Sequence, residues 1–379
     1  MADTRVSSGL TVEQWDDQFF TEYLTENRYS GEMGTDETSI IQVKENLTKK
    51  KGDRINFALV NKLTNDAVTG SNVLEGNEED MASRSCEVAV DKRRNGVRVA
   101  EIDEQYSAIG LRDAAKAVLK DWSLKDTETL ITKSLGRVTN GSTTVEMNAA
   151  DFGASGNQTV LDTWLSNNSD RVFFGNNSYA ASSGDLSAGL ATLTNATAAE
   201  NLSAANLTKM KFMAQTRAAP KIRPIRVDAG NGRRYYVVYA HPLAFRDLKG
   251  DSTITQAQRE VMLEMENNRL FKGGDLLWDG MIIKEIPDMY DINTLTNLGD
   301  SGTSTVVPVF LCGAQAVGAA YAKRWQSKEQ TFDYGDKQGV AIEAIYGIDK
   351  LTFGSGASDR TTPKDNGIVT GFFSVSATT

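Results

Sequence analysis

The chain has 379 residues, 40% hydrophobic and 24% charged, with 50 acidic against 41 basic residues and a formal charge of −9. That is ordinary for a folded soluble protein too long for one small core, and the acidic balance excludes generic attraction of the whole chain to nucleic acid. One histidine and two distant cysteines, Cys86 and Cys312, exclude a multi-histidine metal centre, a zinc ribbon and a disulfide scaffold.

Thr11 to Gln14 reads as a capping box, with Thr11 as N-cap and Gln14 reaching back. Behind it Val12, Trp15, Phe19, Phe20, Tyr23 and Leu24 recur at helical spacing. This amphipathic helix either folds back on its own core or docks as an arm on another subunit. The polar, glycine-broken stretch from Tyr29 to Thr38 favours the arm. No run approaches the ~20 apolar residues that span a membrane, and the first residues lack a signal-peptide core. A soluble protein made in the cytosol is expected.

From Gly52 to Val138 the sequence predicts a long excursion followed by a long helix. Arg54 to Val60 leads out as a strand, Ser85 to Val90 leads back, and Asn95-Gly96 makes a tight turn. Between them the chain carries Asp66, Glu75, Glu78, Glu79 and Asp80 with few large apolar residues, too few to order a compact unit. The return stem is basic, with Lys92, Arg93, Arg94 and Arg98. Acidic tip and basic stem lie at opposite ends of a hairpin. They meet only if copies of the chain overlap head to tail around a ring; otherwise both are simply solvated. Asp103 to Leu135 holds no proline and one glycine, Gly110, so it forms one helix or two in line, reaching roughly 50 Å. Tyr106, Ile109, Leu111, Ala115, Val118, Leu119 and Trp122 mark one apolar stripe, which Leu130, Ile131 and Leu135 resume. Such a stripe predicts core packing.

Residues 139–206 read as an inserted, loop-rich and surface-rich segment with a short helix from Val160 to Leu165. A helix from Leu202 to Ala218 turns Leu207, Met210 and Met213 inward and stops at Pro220. The densest basic run follows: Lys209, Lys211, Arg217, Lys221, Arg223 and Arg226. It either faces phosphate or pairs with acids on neighbouring subunits. Prolines at 220 and 224 and the lack of interleaved aromatics oppose a base-stacking platform, so pairing is the preferred reading.

Ile225 to Asp228, Asn231-Gly232 and Arg234 to Tyr239 predict a hairpin, and His241 before Pro242 caps the turn into Leu243 to Leu248. A helix from about Thr255 to Phe271 and a turn at Trp278 to Gly280 lead to the strand Met281 to Ile286. Asn293 to Thr305 reads as a polar loop and Val306 to Cys312 as a strand whose Pro308 belongs on an edge or at a bulge. Gln315 to Trp325 reads as a small-sided helix, and the end is β-rich at 339–345, 350–353 and 367–373. Both cysteines are expected as buried thiols in strands.

No phosphate loop, dinucleotide fingerprint or metal-spaced set occurs, and Asp333-Tyr-Gly-Asp336 lacks the length of a calcium loop. No catalytic, cofactor-binding or metal residue is assigned. Fifty acids leave a carboxylate-dependent enzyme as a formal alternative.

Four patches carry a resemblance. Leu74 to Glu79 sits in the excursion; Asn268 to Gly273 and Gly280 to Glu285 close the second-domain helix. Leu311 to Ala316 joins strand to helix, and Asp333 to Gly335 with Gly347 to Lys350 and Phe353 mark the last sheet. In order and spacing the chain resembles the major capsid proteins of tailed bacteriophages, in particular the podophage coat-protein family. The resemblance implies an α+β fold with an N-terminal arm (1–51), an extended loop (52–98), a peripheral domain with a spine helix (99–139 and 306–379) and an axial domain (140–305). It further implies pentamers and hexamers of one chain in an icosahedral virion shell around double-stranded DNA. Scaffolding, portal and decoration proteins are the other implied partners; no membrane and no cofactor are. An encapsulin-type compartment shares the fold and is the alternative. Subunit contacts are then expected at Trp15, Phe19 and Tyr23 of the arm and at Glu75, Glu78 and Glu79 of the loop. Arg93 and Arg94 of the stem and Arg223 and Arg226 of the basic run complete the set.

Overall fold

The computed structural model describes residues 27–45, 52–60, 67–70, 73, 75, 78, 83–107, 110–140, 143–175, 178–179, 184–194, 198–226, 234–261, 276–354 and 363–376. The arm residues Trp15, Phe19 and Tyr23, the loop residue Glu79 and the end of the helix expected to Phe271 lie outside these. The chain divides into two compact units, one built on Lys92–Thr127 and Lys323–Ile345, the other on Arg28–Asp91, Glu128–Ala322 and Tyr346–Thr379.

The larger unit opens with β1 (Met33–Gly34) and β2 (Ile41–Lys44), parallel with Met33 opposite Ile41. In β3 (Arg54–Val60) Ile55 and Phe57 alternate with exposed neighbours, the pattern of a strand covered on one face. It pairs antiparallel with β4 (Ser83–Ala89), from Arg54 opposite Ala89 to Val60 opposite Ser83. The expected hairpin strands are therefore present.

Next come β5 (Asp91–Ala100), α1 (Glu101–Tyr106) and α2 (Leu111–Gly136), so the expected long helix is two helices, with Gly110 in the break. Asn95-Gly96 is no turn; it lies inside β5. A Cβ on Gly96 would sit 3.0 Å from the Ala341 Cβ and 3.2 Å from the Val340 carbonyl oxygen. Glycine serves close strand approach there, a demand that sequence alone does not separate from a turn.

The chain continues through β6 (Val138–Asn140), β7 (Thr143–Val145), α3 (Ala149–Gly153), α4 (Gln158–Asn167), β8 (Val172–Phe174), β9 (Ser178–Tyr179), α5 (Leu186–Ala191) and α6 (Ala204–Phe212). Side-chain caps start three of these helices: Asn148, Asp185 and Ser203 accept from the N–H groups of Asp151, Ala188 and Asn206. This stretch is not surface-rich as expected: Phe152, Leu161, Trp164, Leu165, Phe173 and Phe174 are all buried. Its apolar residues fall singly or in short runs between polar loops, so neither strand nor helix period shows in the sequence.

The remaining elements are β10 (Ile225–Arg226), β11 (Arg234–Ala240), α7 (Pro242–Lys249), α8 (Ser252–Val261), β12 (Leu276–Trp278), β13 (Met281–Glu285), α9 (Met289–Ile292) and β14 (Leu295–Gly299). After them follow β15 (Ser304–Cys312), β16 (Val317–Phe332), β17 (Lys337–Lys350), β18 (Thr352–Gly354), β19 (Pro363–Asp365) and β20 (Ile368–Ser374). A nine-stranded sheet forms the heart of the larger unit, in the order β12-β13-β11-β15-β20-β8-β9, with β10 on β11 and β14 on β15. Strands β11, β15 and β20 read as near-continuous apolar runs because both their faces are covered. Leu207, Met210 and Met213 pack in one buried cluster with Val238, Val309, Leu311 and Phe373, as the helical spacing predicts. Asp279 (φ 45°) and Gly280 (φ 68°) form the two-residue turn between β12 and β13, where positive φ at both centres matches the twist of a hairpin.

Three expectations are corrected here. Pro308 lies inside β15, opposite Phe372 of β20, rather than on an edge strand. On the other side of β15 the neighbour changes from β14, paired up to Val306, to β11, paired from Val309. The missing N–H falls at that break, where it costs least. The loop expected at 293–305 contains β14. The helix expected from Gln315 to Trp325 is the strand β16, whose Val317 to Ala320 run parallel to Ile41 to Lys44. Its small residues admit rings: a Cβ on Gly318 would lie 2.8 Å from Leu351 Cδ2 and 3.0 Å from the Phe57 ring. Gly347 is equally constrained, since a Cβ there would collide with the Ala89 carbonyl.

His241 caps α7 as the sequence predicts, its Nδ1 accepting from the Leu243 N–H at 3.2 Å. With Nδ1 an acceptor, Nε2 carries the proton and donates to Thr294 Oγ1 at 2.9 Å, and that hydroxyl donates to the Tyr290 carbonyl. Burial pushes the imidazole down to about 4. The unfolded chain, titrating near 6.5, therefore takes up the proton first, and stability falls as pH drops from about 6.5 to about 4. The expected loss is about 3 kcal/mol. Urea denaturation of unassembled subunits across that range should show it, and His241→Asn, which retains a cap, should flatten the profile.

Candidate subunit-contact surfaces

The β3–β4 hairpin is anchored at one end. Ile55, Phe57 and Val88 are buried with Ala320, Leu351 and Phe353 in a cluster of their own. Lys44 holds its ammonium 4.4 Å over the Phe57 ring and donates to the Asn56 carbonyl, while burial lowers its pKa. Arg54 pairs with Glu87 at 2.9 Å across the strands. Towards the other end burial disappears. Val60 is 57% and Val73 66% exposed, and Val68, Glu75 and Glu78 are exposed as well. A fixed root thus leads to a segment whose described valines and glutamates are exposed.

The basic stem is largely engaged by its own unit. Arg93 donates to Asp126 at 2.6 Å, Lys92 pairs with Glu343 at 3.2 Å, and the Arg98 guanidinium lies 4.5 Å over the Phe332 ring. Arg94 is exposed. Glu343 also receives Lys323 and Lys328, and these ammonium groups draw its carboxyl down to about 2. Arg112 and Lys116 of α2 both reach Glu329 of β16, and Trp122 meets Trp325 edge-on at 5.8 Å. The smaller unit is thereby tied together by a charged network and one aromatic pair.

The helical stripe expected as core holds at Ala115, Leu119, Leu130, Ile131 and Leu135, which are buried. It fails at Tyr106 and Val118, 80% and 53% exposed. Ile109 lies outside the described residues. The break between α1 and α2 accounts for Tyr106, because the spacing does not carry one face across it; Val118 lies within α2, next to buried Leu119, on that helix's exposed side. Ile102 and Tyr334 are also exposed, and sequence reasoning missed both. Tyr334 follows Asp333 and precedes Gly335 in a turn with φ of 54°, 53° and 107°. The Asp-Tyr-Gly triplet is the only sequence signal for it.

In the basic run Lys211 donates to the Asp279 side chain at 2.8 Å and to its carbonyl at 2.5 Å. Arg223 stands 3.9 Å from Glu37, both exposed, a pair worth little in water. The register sets Arg226 of β10 opposite Arg234 of β11.

Among the described residues no group of three or more His, Cys, Asp or Glu could hold a metal ion. Asp333 is paired with Lys337 at 2.9 Å. Burial raises the Cys312 thiol far out of the range of a nucleophile, and Cys86 is only partly buried, which corrects the expectation for that residue.

A model of the family described as phage capsid protein matches residues 3–373 of this chain. The major capsid protein of Pseudomonas phage KPP25 is 31% identical over 374 residues, covering 95% of each protein. The capsid asymmetric unit of cyanophage Pam1 matches with a TM-score of 0.81 at 31% identity, covering 100% of both chains. The capsid of Ralstonia phage GP4 matches with a TM-score of 0.77 at 20% identity over 100% of both, a likeness of fold.

Proposed function

Because this chain belongs to the phage capsid protein family, we propose a specific way in which its copies close a shell. The protein is a major capsid protein: it forms the shell of a phage head, it is structural and not enzymatic, and its place is the virion. Our reading adds that pentamers and hexamers of the one chain tile an icosahedral shell around double-stranded DNA, with scaffolding, portal and decoration proteins as further partners. We also place it with the podophage coat proteins, on the four sequence patches.

The domain plan is an arm (1–51), an extended loop (52–98), a peripheral domain (99–139 and 306–379) and an axial domain (140–305). The single observation that carries the contact scheme is the β3–β4 hairpin, rooted by Ile55, Phe57 and Val88 and exposed at its valines and glutamates. A closed soluble enzyme has no use for such a tip; a subunit that must grip its copy does. Trp15, Phe19 and Tyr23 of the arm, Glu75, Glu78 and Glu79 of the loop, and the bases Arg94, Arg223 and Arg226 are the proposed contacts. Arg93 is a poorer receiver than its neighbour, since it already donates to Asp126.

Sedimentation velocity of the purified protein, expressed with and without its scaffold, tests the reading. Particles far heavier than the 41.3 kDa chain are expected. A stable monomer in both preparations would sink it.

A further inference from the structure

We propose that a basic cleft beside β11 receives the acidic tip of the β3–β4 hairpin of a second copy of this chain. The inference rests on the shell reading above and names the receiving site for the loop glutamates.

The cleft has a volume of about 320 Å³ and is walled by Lys211, Lys221, Arg234, Gln215, Ile222 and Tyr236. Lys211 is matched by Asp279 at 2.8 Å, while Lys221 and Arg234 line the cleft from exposed positions. In an acidic chain of net charge −9 this concentration of positive charge is a local exception. The cleft is also firm. Ile222 and Tyr236 are buried, and the Tyr236 hydroxyl donates to the Ile222 carbonyl at 3.0 Å.

Both the charge and the apolar lining select the occupant. A nucleic-acid backbone is best held by cations spread along its phosphates; this cleft is compact and partly apolar, with Ile222 and Pro224 in its walls. The hairpin tip offers the complement, Glu75 and Glu78 together with the exposed Val60, Val68 and Val73. The stem is the weaker receiver, because Arg93 and Lys92 already pair with Asp126 and Glu343.

A charge exchange tests the proposal. Lys221→Glu/Arg234→Glu and Glu75→Lys/Glu78→Lys are each expected to lower the fraction of protein sedimenting as shells by about tenfold or more, with circular dichroism of the subunits unchanged. The fourfold exchange is expected to restore most of that fraction. If the cleft variant assembles like wild type, the cleft is not a contact. If it assembles like wild type but retains less duplex DNA, the cleft is a phosphate site and the proposal is wrong in its partner. If both double variants fold and fail but the exchange does not rescue them, the two surfaces do not meet. A wild-type chain that forms no particles alongside them overturns the shell reading itself, and the docking with it.

Discussion

Asp365→Ala is expected to destabilise the unassembled subunit by about 3–5 kcal/mol, the usual cost of breaking a buried ion pair from one side. Lys350 Nζ lies 2.7 Å from Asp365 Oδ2, and both side chains are only 3% exposed. The same carboxylate oxygen accepts from Trp164 Nε1 at 3.1 Å, and Lys350 stands 5.5 Å from the Trp164 ring centre. Asn168 Oδ1 accepts the Asp365 N–H at 2.9 Å. Arg171, itself buried, donates to the Asp365 carbonyl and to the Ala219 carbonyl, the latter at 3.0 Å. Asp365 therefore joins β19, the end of β17 and the α4–β8 segment. Removing its carboxylate leaves an ammonium and an indole N–H buried without their acceptor.

Against the 5–15 kcal/mol that holds a typical domain together, that loss is severe. The double variant Lys350→Met/Asp365→Leu should be less destabilised than Asp365→Ala, because it leaves no uncompensated charge. Urea denaturation of dissociated subunits measures both, and a single-variant loss under about 1 kcal/mol would mean that water reaches the site and screens the charge.

Glu78→Lys/Glu79→Lys is expected to abolish shell formation while the subunit stays folded. Val73, Glu75 and Glu78 are exposed, and the root of the hairpin depends on Ile55, Phe57 and Val88, so the substitution leaves the buried cluster untouched. On the proposed contact scheme, reversing two charges at a contact repeated around every ring converts attraction into repulsion at each copy. The penalty multiplies with the number of contacts, which is why assembly should respond far more than folding. The variant's denaturation midpoint should match wild type and its sedimenting fraction should vanish. Normal shells from this variant would return the tip to a solvated loop with no role in assembly.

Local chemistry made part of this molecule legible from sequence. The hairpin strands β3 and β4, the cap at His241, the inward Leu207, Met210 and Met213, and the turn at Asp279-Gly280 each follow from signals within a few residues. What escaped depends on partners far along the chain. Gly318, Ala319 and Ala320 look like a small-sided helix until Phe57 and Leu351 are seen pressing on them. Gly96 signals a turn unless its approach to Val340 and Ala341 is known. The burial of Trp164, Phe173 and Phe174 is invisible between loops because β8 finds its partner, β20, some two hundred residues later.

The contact surfaces divide the same way. The acidic tip and the basic run are readable as charge. That Arg93 is engaged by Asp126 is not, nor that residues from 211, 221 and 234 share one cleft. Pairing choices of that kind belong to the tertiary fold.

The central claim is that identical copies of this chain close a shell, gripping one another through the hairpin tip. Cryo-electron microscopy of purified particles, with scaffold co-expressed if needed, tests it most directly. The expected result is closed icosahedral shells in which each β3–β4 tip, with Glu75 and Glu78, lies against a neighbouring copy. Small discrete oligomers, or shells whose tips project into solvent and touch no neighbour, would contradict it.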